Sequence, residues 1–312
     1  MEAIILKDYG GVENLQAAEL PVPIPGRDEV LVSVKAISIN PVDAKTRKGG
    51  TPLAALLKKD PPVILGWDVA GIVEQSSASS FKRGDAVFGM INFPGAGRAY
   101  ASYITAPAAH LAHMPRSISF PEAAAASLAA LTAWQALVVH ASIGKNDRVL
   151  IHAGSGGVGH YAIQIARHLG AYVITTASSA NREFVMSFGA DEAIDYTTTP
   201  FEEVTGDIDF VLDTIGGDYI DRSIKAMKPG GTIISLPSSK NRNVTQAAEA
   251  MGMKGYPMMV KSDGKDMAEL AALLETGEIR SHIAQSFPLN AVASAHLQIE
   301  SGKTRGKLVV LP

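Results

Sequence analysis

The sequence predicts an α/β protein in two parts, a compact β structure followed by a parallel sheet covered by helices on both faces. Three observations carry this reading. Short β-rich runs broken by Gly and Pro fill the chain from Met1 to about Pro115. From Ser119 onward, near-continuous apolar strands alternate with helical stretches. A glycine run, GSGGVG (Gly154 to Gly159), joins one such strand directly to one such helix.

In the first part, EVLVSVKAISIN (Glu29 to Asn40) is β-rich with partial alternation, and AGIVEQ, GDAVFGM and AYASYITAP are shorter runs of the same kind separated by turn residues. At Ser119 the period changes. Ser119 and Glu122 have capping-box spacing, Pro121 sits in the first turn, and an alanine-rich helix is expected to about His140. That segment is long and fairly apolar, but Ser127, Thr132 and Gln135 interrupt it, which favours a buried helix over a membrane span. RVLIHA, a helix from about Gly157 to Leu169, YVITTA, a helix over Asn181 to Phe188, EAIDY, DFVLDT, a helix over Tyr219 to Met227, and GTIISL then alternate. Pattern alone leaves the tail open. PMMV, a helix near Asp266 to Glu275, IAQSF, a helix near Leu289 to Ile299, and KLVVLP either extend this sheet or return to the first part.

Bulk properties bound the function. A chain of 312 residues exceeds what one core usually supports, so two domains are expected. Hydrophobic content of 46% with 19% charged residues belongs to a well buried globular protein. A net charge of −3 without blocks of like charge offers no electrostatic grip on nucleic acid or a membrane surface, which leaves small-molecule ligands. The absence of cysteine removes disulfides, thiol nucleophiles and thiolate metal sites, and fits a cytoplasmic location. The start, MEAIILKDYG, does not read as a signal peptide.

The glycine run is the strongest functional signal. Gly154, Gly156 and Gly159 form GxGxxG, with Ser155, Gly157 and Val158 between them. The strand before, the helix after and a second strand about twenty residues on are the context in which such a turn receives a dinucleotide pyrophosphate. Where a site for the unphosphorylated coenzyme places Asp or Glu, the chain reads Thr175, Thr176, Ala177, Ser178, Ser179, and the next acid is Glu183 inside the following helix. A carboxylate about 4 Å from a 2′-phosphate costs roughly 4 kcal/mol per charge pair at an effective dielectric near 20, so its absence favours NADPH over NADH. Ser178, Ser179, Asn181 and Arg182 offer donors there, with the Arg182 guanidinium the leading phosphate contact. Ser179 and Asn181 equally suit helix capping.

Together with NPVDAKTRKG, GWDVAG and the closing GKTRGKLVV, these residues resemble the medium-chain dehydrogenase/reductase superfamily, in its zinc-independent quinone oxidoreductase branch, over essentially the whole chain. The resemblance implies a GroES-like β-barrel catalytic domain over residues 1–118, completed by 284–312, enclosing a Rossmann doubly wound parallel sheet over 119–283. It also implies an active site between the domains and a homodimer formed through the outer strand near Tyr256 to Val260. Zinc members carry GHExxG where this chain has Gly66, Trp67, Asp68, Val69, Ala70, Gly71, and an indole cannot replace an imidazole ligand, so no metal is expected. His110 and His113 lie in a Pro-bounded irregular run and read as structural.

The activity implied is hydride transfer from NADPH to a quinone or an α,β-unsaturated carbonyl, which places negative charge on the carbonyl oxygen and rewards a hydrogen-bond donor there. The resemblance puts Asn40 beside nicotinamide and substrate. Asn40 before Pro41, with Asp43 three residues on, equally reads as a helix cap, and Asp43 reads first as its structural partner. Tyr100 and Tyr103 bring phenols to the same region by analogy. Tyr196, closing EAIDY, is implied near the adenosine phosphate, and Arg305 approaches the coenzyme from the C-terminal segment. NFPGAGRAY (Asn92 to Tyr100) suits either a mobile loop over the substrate or a plain surface turn. Met251, Met253, Met258 and Met259 suit a pocket wall or core filler. Two other functions stay open: an enoyl thioester reductase, with Lys58, Lys59 and Arg98 as a basic entrance, and a nonenzymatic NADPH-binding redox sensor.

Overall fold

The computed structural model describes residues 1–236, 240–241 and 243–312, which divide into two compact units, Met1–Leu131 with Lys261–Pro312, and Thr132–Val260. The first unit is built on a seven-stranded, largely antiparallel sheet. Its central strand, Glu29–Ile39, pairs with Asp68–Ser76 on one side, with Val30 opposite Ser76 and Ser38 opposite Asp68. On its other side it pairs with Tyr103–Pro107 and with Lys307–Leu311. Residues of both parities are buried along this strand, so both faces are covered, and its sequence alternates only partly for that reason. Ile283–Pro288 adds itself parallel to Lys307–Leu311, so the open tail returns to the first unit rather than extending the second sheet.

The unit boundaries fall at 131/132 and 260/261, where the resemblance implies 118/119 and 283/284. Side-chain ties explain the shift. The helix Phe120–Trp134 opens on the expected capping box, Ser119 donating to Glu122 Oε2 through its amide at 2.8 Å and its hydroxyl at 2.6 Å. Its early turns are then held by the first unit, since Asp68 Oδ1 accepts the Leu128 amide at 2.8 Å. The helix Gly264–Glu275 is likewise held by the first unit, Ser117 Oγ donating to Glu275 Oε2 at 3.0 Å and the Phe93 amide donating to Ser262 Oγ at 2.8 Å. Past Trp134 the alanine-rich helix widens into a π-helix, Gln135–His140. The 21-residue stretch is long and apolar enough to cross a membrane, yet 78% of its apolar window is buried inside the protein, the pattern of a core helix.

The second unit is a six-stranded parallel sheet of β1 (Arg148–Ile151), β2 (Tyr172–Ala177), β3 (Glu192–Asp195), β4 (Ile208–Asp213), β5 (Met227–Ser235) and β6 (Lys254–Pro257), in the spatial order 3-2-1-4-5-6. Its strands read as apolar runs because Leu150, Ile174, Val211 and Ile233 are buried under helices, with Phe201, Ile220 and Val244 packed on them. The last strand precedes PMMV by a few residues, since Met258 lies past Pro257 with its amide on Ser235 O. The methionines divide: Met253 and Met258 are buried, while Met251 and Met259 are exposed, so the four form no single wall.

Candidate active site

Strand order reverses between β1 and β4, which is where open parallel sheets bind ligands, and the glycine turn stands at that point. After β1 the chain bends at Ala153, with φ of 51°, and enters the helix Gly159–His168. A Cβ on Gly154 would meet Thr175 Oγ1 at 2.1 Å, and one on Gly159 would meet Ala153 O at 2.3 Å, so the fold itself demands glycine at both. Gly156 differs. A Cβ there would meet only Ala153 O, at a tight 3.2 Å, so the fold's own packing resists a side chain far less than at the other two, and a ligand pressed against the backbone would add a reason for glycine. The Gly157 and Val158 amides have no acceptor among the described residues, and the first turn of the helix carries no acidic residue.

Asn181 Nδ2 donates to Ser155 Oγ at 3.1 Å and ties the segment after β2 to this turn. Its Oδ1 is buried without a donor among the described residues, an acceptor left for an incoming hydroxyl. The glycine backbone at Gly156, the amides and this orphaned acceptor fit a dinucleotide. Ser178, Ser179, Asn181, Arg182 and Tyr196 gather at the C-terminal ends of β2 and β3, Ser178 half-buried and Tyr196 48% exposed. Arg182 is turned onto the Ala193 carbonyl at 2.7 Å. Arg305 belongs to the other unit, beside His282, whose pKa is lowered by burial and by the arginine charge.

Two residues here escaped the sequence reading. His152 is fully buried behind the turn, its Nδ1 3.1 Å from Thr176 Oγ1 and its Nε2 2.8 Å from Ser223 Oγ. Ser223 spends its own proton on Tyr219 O at 2.6 Å, so His152 carries its hydrogen on Nε2 and accepts from Thr176 at Nδ1. Burial lowers its pKa to about 4 and keeps it neutral. Thr176 Oγ1 in turn accepts the Ala153 amide, so His152 helps set the bend that starts the glycine turn. The second is Asp195. A search for an acid just past β2 cannot find it, because it closes β3, and only strand pairing sets it opposite Ala177.

In the first unit the three residues implied for catalysis come together in a buried polar cluster. Asn40 caps the helix Pro41–Lys48, and Asp43 Oδ2 accepts its amide at 2.7 Å. The Asn40 carboxamide donates to Asp68 Oδ2 at 2.7 Å and accepts from the buried Lys307 ammonium, which also reaches Ile39 O at 3.2 Å. Asn40 is 1% exposed with both polar ends engaged, so as folded it offers no donor to a substrate and acts as an anchor. Arg47 Nε donates to His296 Nδ1 at 3.2 Å, which puts the histidine hydrogen on Nε2, 2.9 Å from Tyr100 Oη. The Tyr100 hydrogen is then free for Asp43. Burial raises Asp43 to about 7 and lowers His296 to about 4, so both stand near or at neutrality. Arg47, Asp68, His296 and Lys307 were missed, though NPVD, GWDVAG and the closing GKTRGKLVV mark the segments that bring three of them in.

The remaining expectations resolve by contact. Trp67 donates its indole N–H to Gly95 O at 2.7 Å, and its ring meets Phe93 edge to face at 5.4 Å. NFPGAGRAY is therefore fastened near its middle instead of hanging as a flap, and this donor set does not fit a zinc ion. Among the described residues no group of three or more His, Cys, Asp or Glu could hold a metal. His110 accepts the Asn92 amide at 3.2 Å while the His113 ring lies 4.8 Å from Phe81, each occupied separately. Tyr103 lines a cavity of about 630 Å³ with Asn92, Arg98 and Ile64. Arg98 is paired with Asp60 at 2.6 Å, so one of the three cations of the basic entrance is already engaged.

Comparison with known proteins follows this geometry. Residues 26–116 match the family described as the alcohol dehydrogenase GroES-like domain, and residues 188–310 match the zinc-binding dehydrogenase family. The chain is 34% identical to an NADPH-dependent alkenal/one oxidoreductase of Arabidopsis thaliana over 100% of its own length and 80% of that protein. Among solved structures it is similar to the quinone oxidoreductase from Coxiella burnetii, at a TM-score of 0.94 and 35% identity over 100% of this chain and 99% of that one. It is also similar to the Escherichia coli quinone oxidoreductase complexed with NADPH, at a TM-score of 0.88 and 29% identity over 100% of both chains.

Proposed function

The chain belongs to the medium-chain dehydrogenase/reductase superfamily, in its zinc-independent quinone oxidoreductase branch, and from that premise we propose that it reduces quinones or α,β-unsaturated carbonyl compounds with NADPH. The observation that carries the reading is the glycine turn at the strand-order reversal, with Gly156 the least crowded of the three motif glycines, in a chain that is similar to such reductases over its whole length.

NADPH, when bound, supplies the hydride. The chain's own residues hold and orient it. Gly154 to Gly159 bring the backbone close, and the amides of Gly157 and Val158 at the helix N-terminus receive the pyrophosphate. Asn181 Oδ1 accepts a ribose hydroxyl. Ser178, Ser179 and Arg182 face the extra phosphate, and the Arg182 guanidinium, which donates to Ala193 O at 2.7 Å, has further N–H groups to offer it. Tyr196 stands at the adenosine end. Asn40, Asp43 and Tyr100 are positioning residues that fix the entry to the Pro41–Lys48 helix, and the substrate anion takes its proton from water or a nearby hydroxyl. No step passes through a metal.

Among the described residues β6 pairs with β5 alone, and its other edge supports a homodimer, which sedimentation would test. The lack of cysteine supports a reducing compartment such as the cytoplasm. The activity is tested by following NADPH absorbance with a panel of quinones, enones and enoyl thioesters. Turnover of quinones or enones is expected. Preferred turnover of thioesters would replace the substrate class, and tight NADPH binding without any turnover would leave a coenzyme-binding sensor.

A further inference from the structure

Asp195 closes β3 level with Ala177, the last residue of β2, so its carboxylate stands against the turn Ser179–Asn181. Its Oδ2 accepts the Ser179 amide at 3.1 Å, and its Oδ1 accepts the Thr197 hydroxyl at 2.7 Å and the Thr197 amide at 2.9 Å. The Thr197 hydroxyl above all, then its amide and Ser179, holds the carboxyl below the ordinary aspartate range. The groups that hold it there are hydroxyl and amide donors and none is a cation. Arg182, the cation of the same segment, instead spends a hydrogen on the neutral Ala193 carbonyl at 2.7 Å. A place assigned to an extra phosphate therefore carries a fixed negative charge that already occupies one of its donors.

Resting on the coenzyme reading above, we propose that Asp195 is a specificity-determining residue that lowers the preference for NADPH over NADH. Its carboxylate competes with a 2′-phosphate for the Ser179 donors and repels it, whereas the neutral 2′-hydroxyl of NADH can donate a hydrogen bond to that same carboxylate. An acid at the end of β3 thus does part of what an acid at the end of β2 does in coenzyme sites for NADH. The segment keeps its cationic and hydroxyl donors, so NADPH still binds, with its advantage reduced.

Fluorescence titration of the full chain with NADPH and with NADH tests this without reference to turnover. The unaltered protein is expected to bind NADH within about tenfold of NADPH, since exposed charges about 4 Å apart in water change affinity by only about fivefold. Asp195→Asn, which keeps an acceptor for Ser179, is expected to tighten NADPH about fivefold and leave NADH within twofold. That gain shrinks toward nothing near 0.5 M salt, about where the screening length falls to 4 Å. Asp195→Ala, which removes the acceptor as well, separates charge from scaffold. Parallel weakening of both coenzymes in both variants, an unchanged NADPH-to-NADH ratio in Asp195→Asn, or a native NADPH preference beyond about a thousandfold each overturns the proposal. If the unaltered protein binds neither coenzyme, the coenzyme reading itself falls.

Discussion

Two glycines three positions from one another in the same motif answer to different masters. Gly159 is required by the fold, because a methyl group there would press on the Ala153 carbonyl at 2.3 Å, whereas one at Gly156 would meet that carbonyl at 3.2 Å, a contact relieved by a shift of a few tenths of an ångström. Gly159→Ala is therefore expected to destabilise the protein by several kcal/mol, about the size of other severe packing errors, read as a lower urea midpoint. Gly156→Ala is expected to leave that midpoint within about 1 kcal/mol while weakening NADPH about tenfold or more in a direct titration. Equal stability losses for the two would show that neither position is kept open for a ligand. Both glycines are visible in the sequence, but their division of labour is not, because it depends on atoms of the facing strand and turn.

Elements were legible where their signals are local. The Ser119–Glu122 box, the apolar strands and the helix after GSGGVG all follow from residues within a few positions of one another, and all appear. Ser119→Ala should cost about 1 kcal/mol, since it removes the hydroxyl that bonds Glu122 Oε2 at 2.6 Å and leaves the partly exposed helix start to water. A melting temperature unchanged within error would mean that packing of the alanine-rich face alone starts the helix. Elements defined by partners were harder. The strand near Met258 lies a few residues earlier than its apolar letters suggest, because the pairing of Tyr256 with Ile234, not hydrophobicity, sets its register.

At the scale of the whole molecule, buried histidines make stability depend on pH. His152 and His296 have folded pKa values near 4, below the ordinary 6.5, so the unfolded chain binds protons that the folded one refuses. Their contribution is fully present above about pH 6.5 and is lost as pH falls toward 4. Asp43 works in the other direction: its folded value of about 7 means that stability from its neutral form is present at acid pH and lost as pH rises from about 4 to 7. Urea midpoints measured across this range should fall on the acid side, and His152→Asn, an amide near the size of the ring, should flatten that fall. An identical acid limb in the variant would assign it to other groups.

What the sequence by itself determined is whatever neighbours along the chain can enforce: the alternation of strand and helix, the glycine turn between them, the capping box, and the absence of thiols for any metal. What only the tertiary structure decided is which distant groups share one dry space. Lys307 meets Asn40 across 267 positions, and Arg47 meets His296 across 249, and no local pattern encodes such meetings. Strand pairing likewise brings Asp195 to a turn whose own letters contain no acid. The physical reason is that backbone propensity acts over a few residues, whereas burial, pairing and charge act over ångströms, and the fold alone converts one distance into the other.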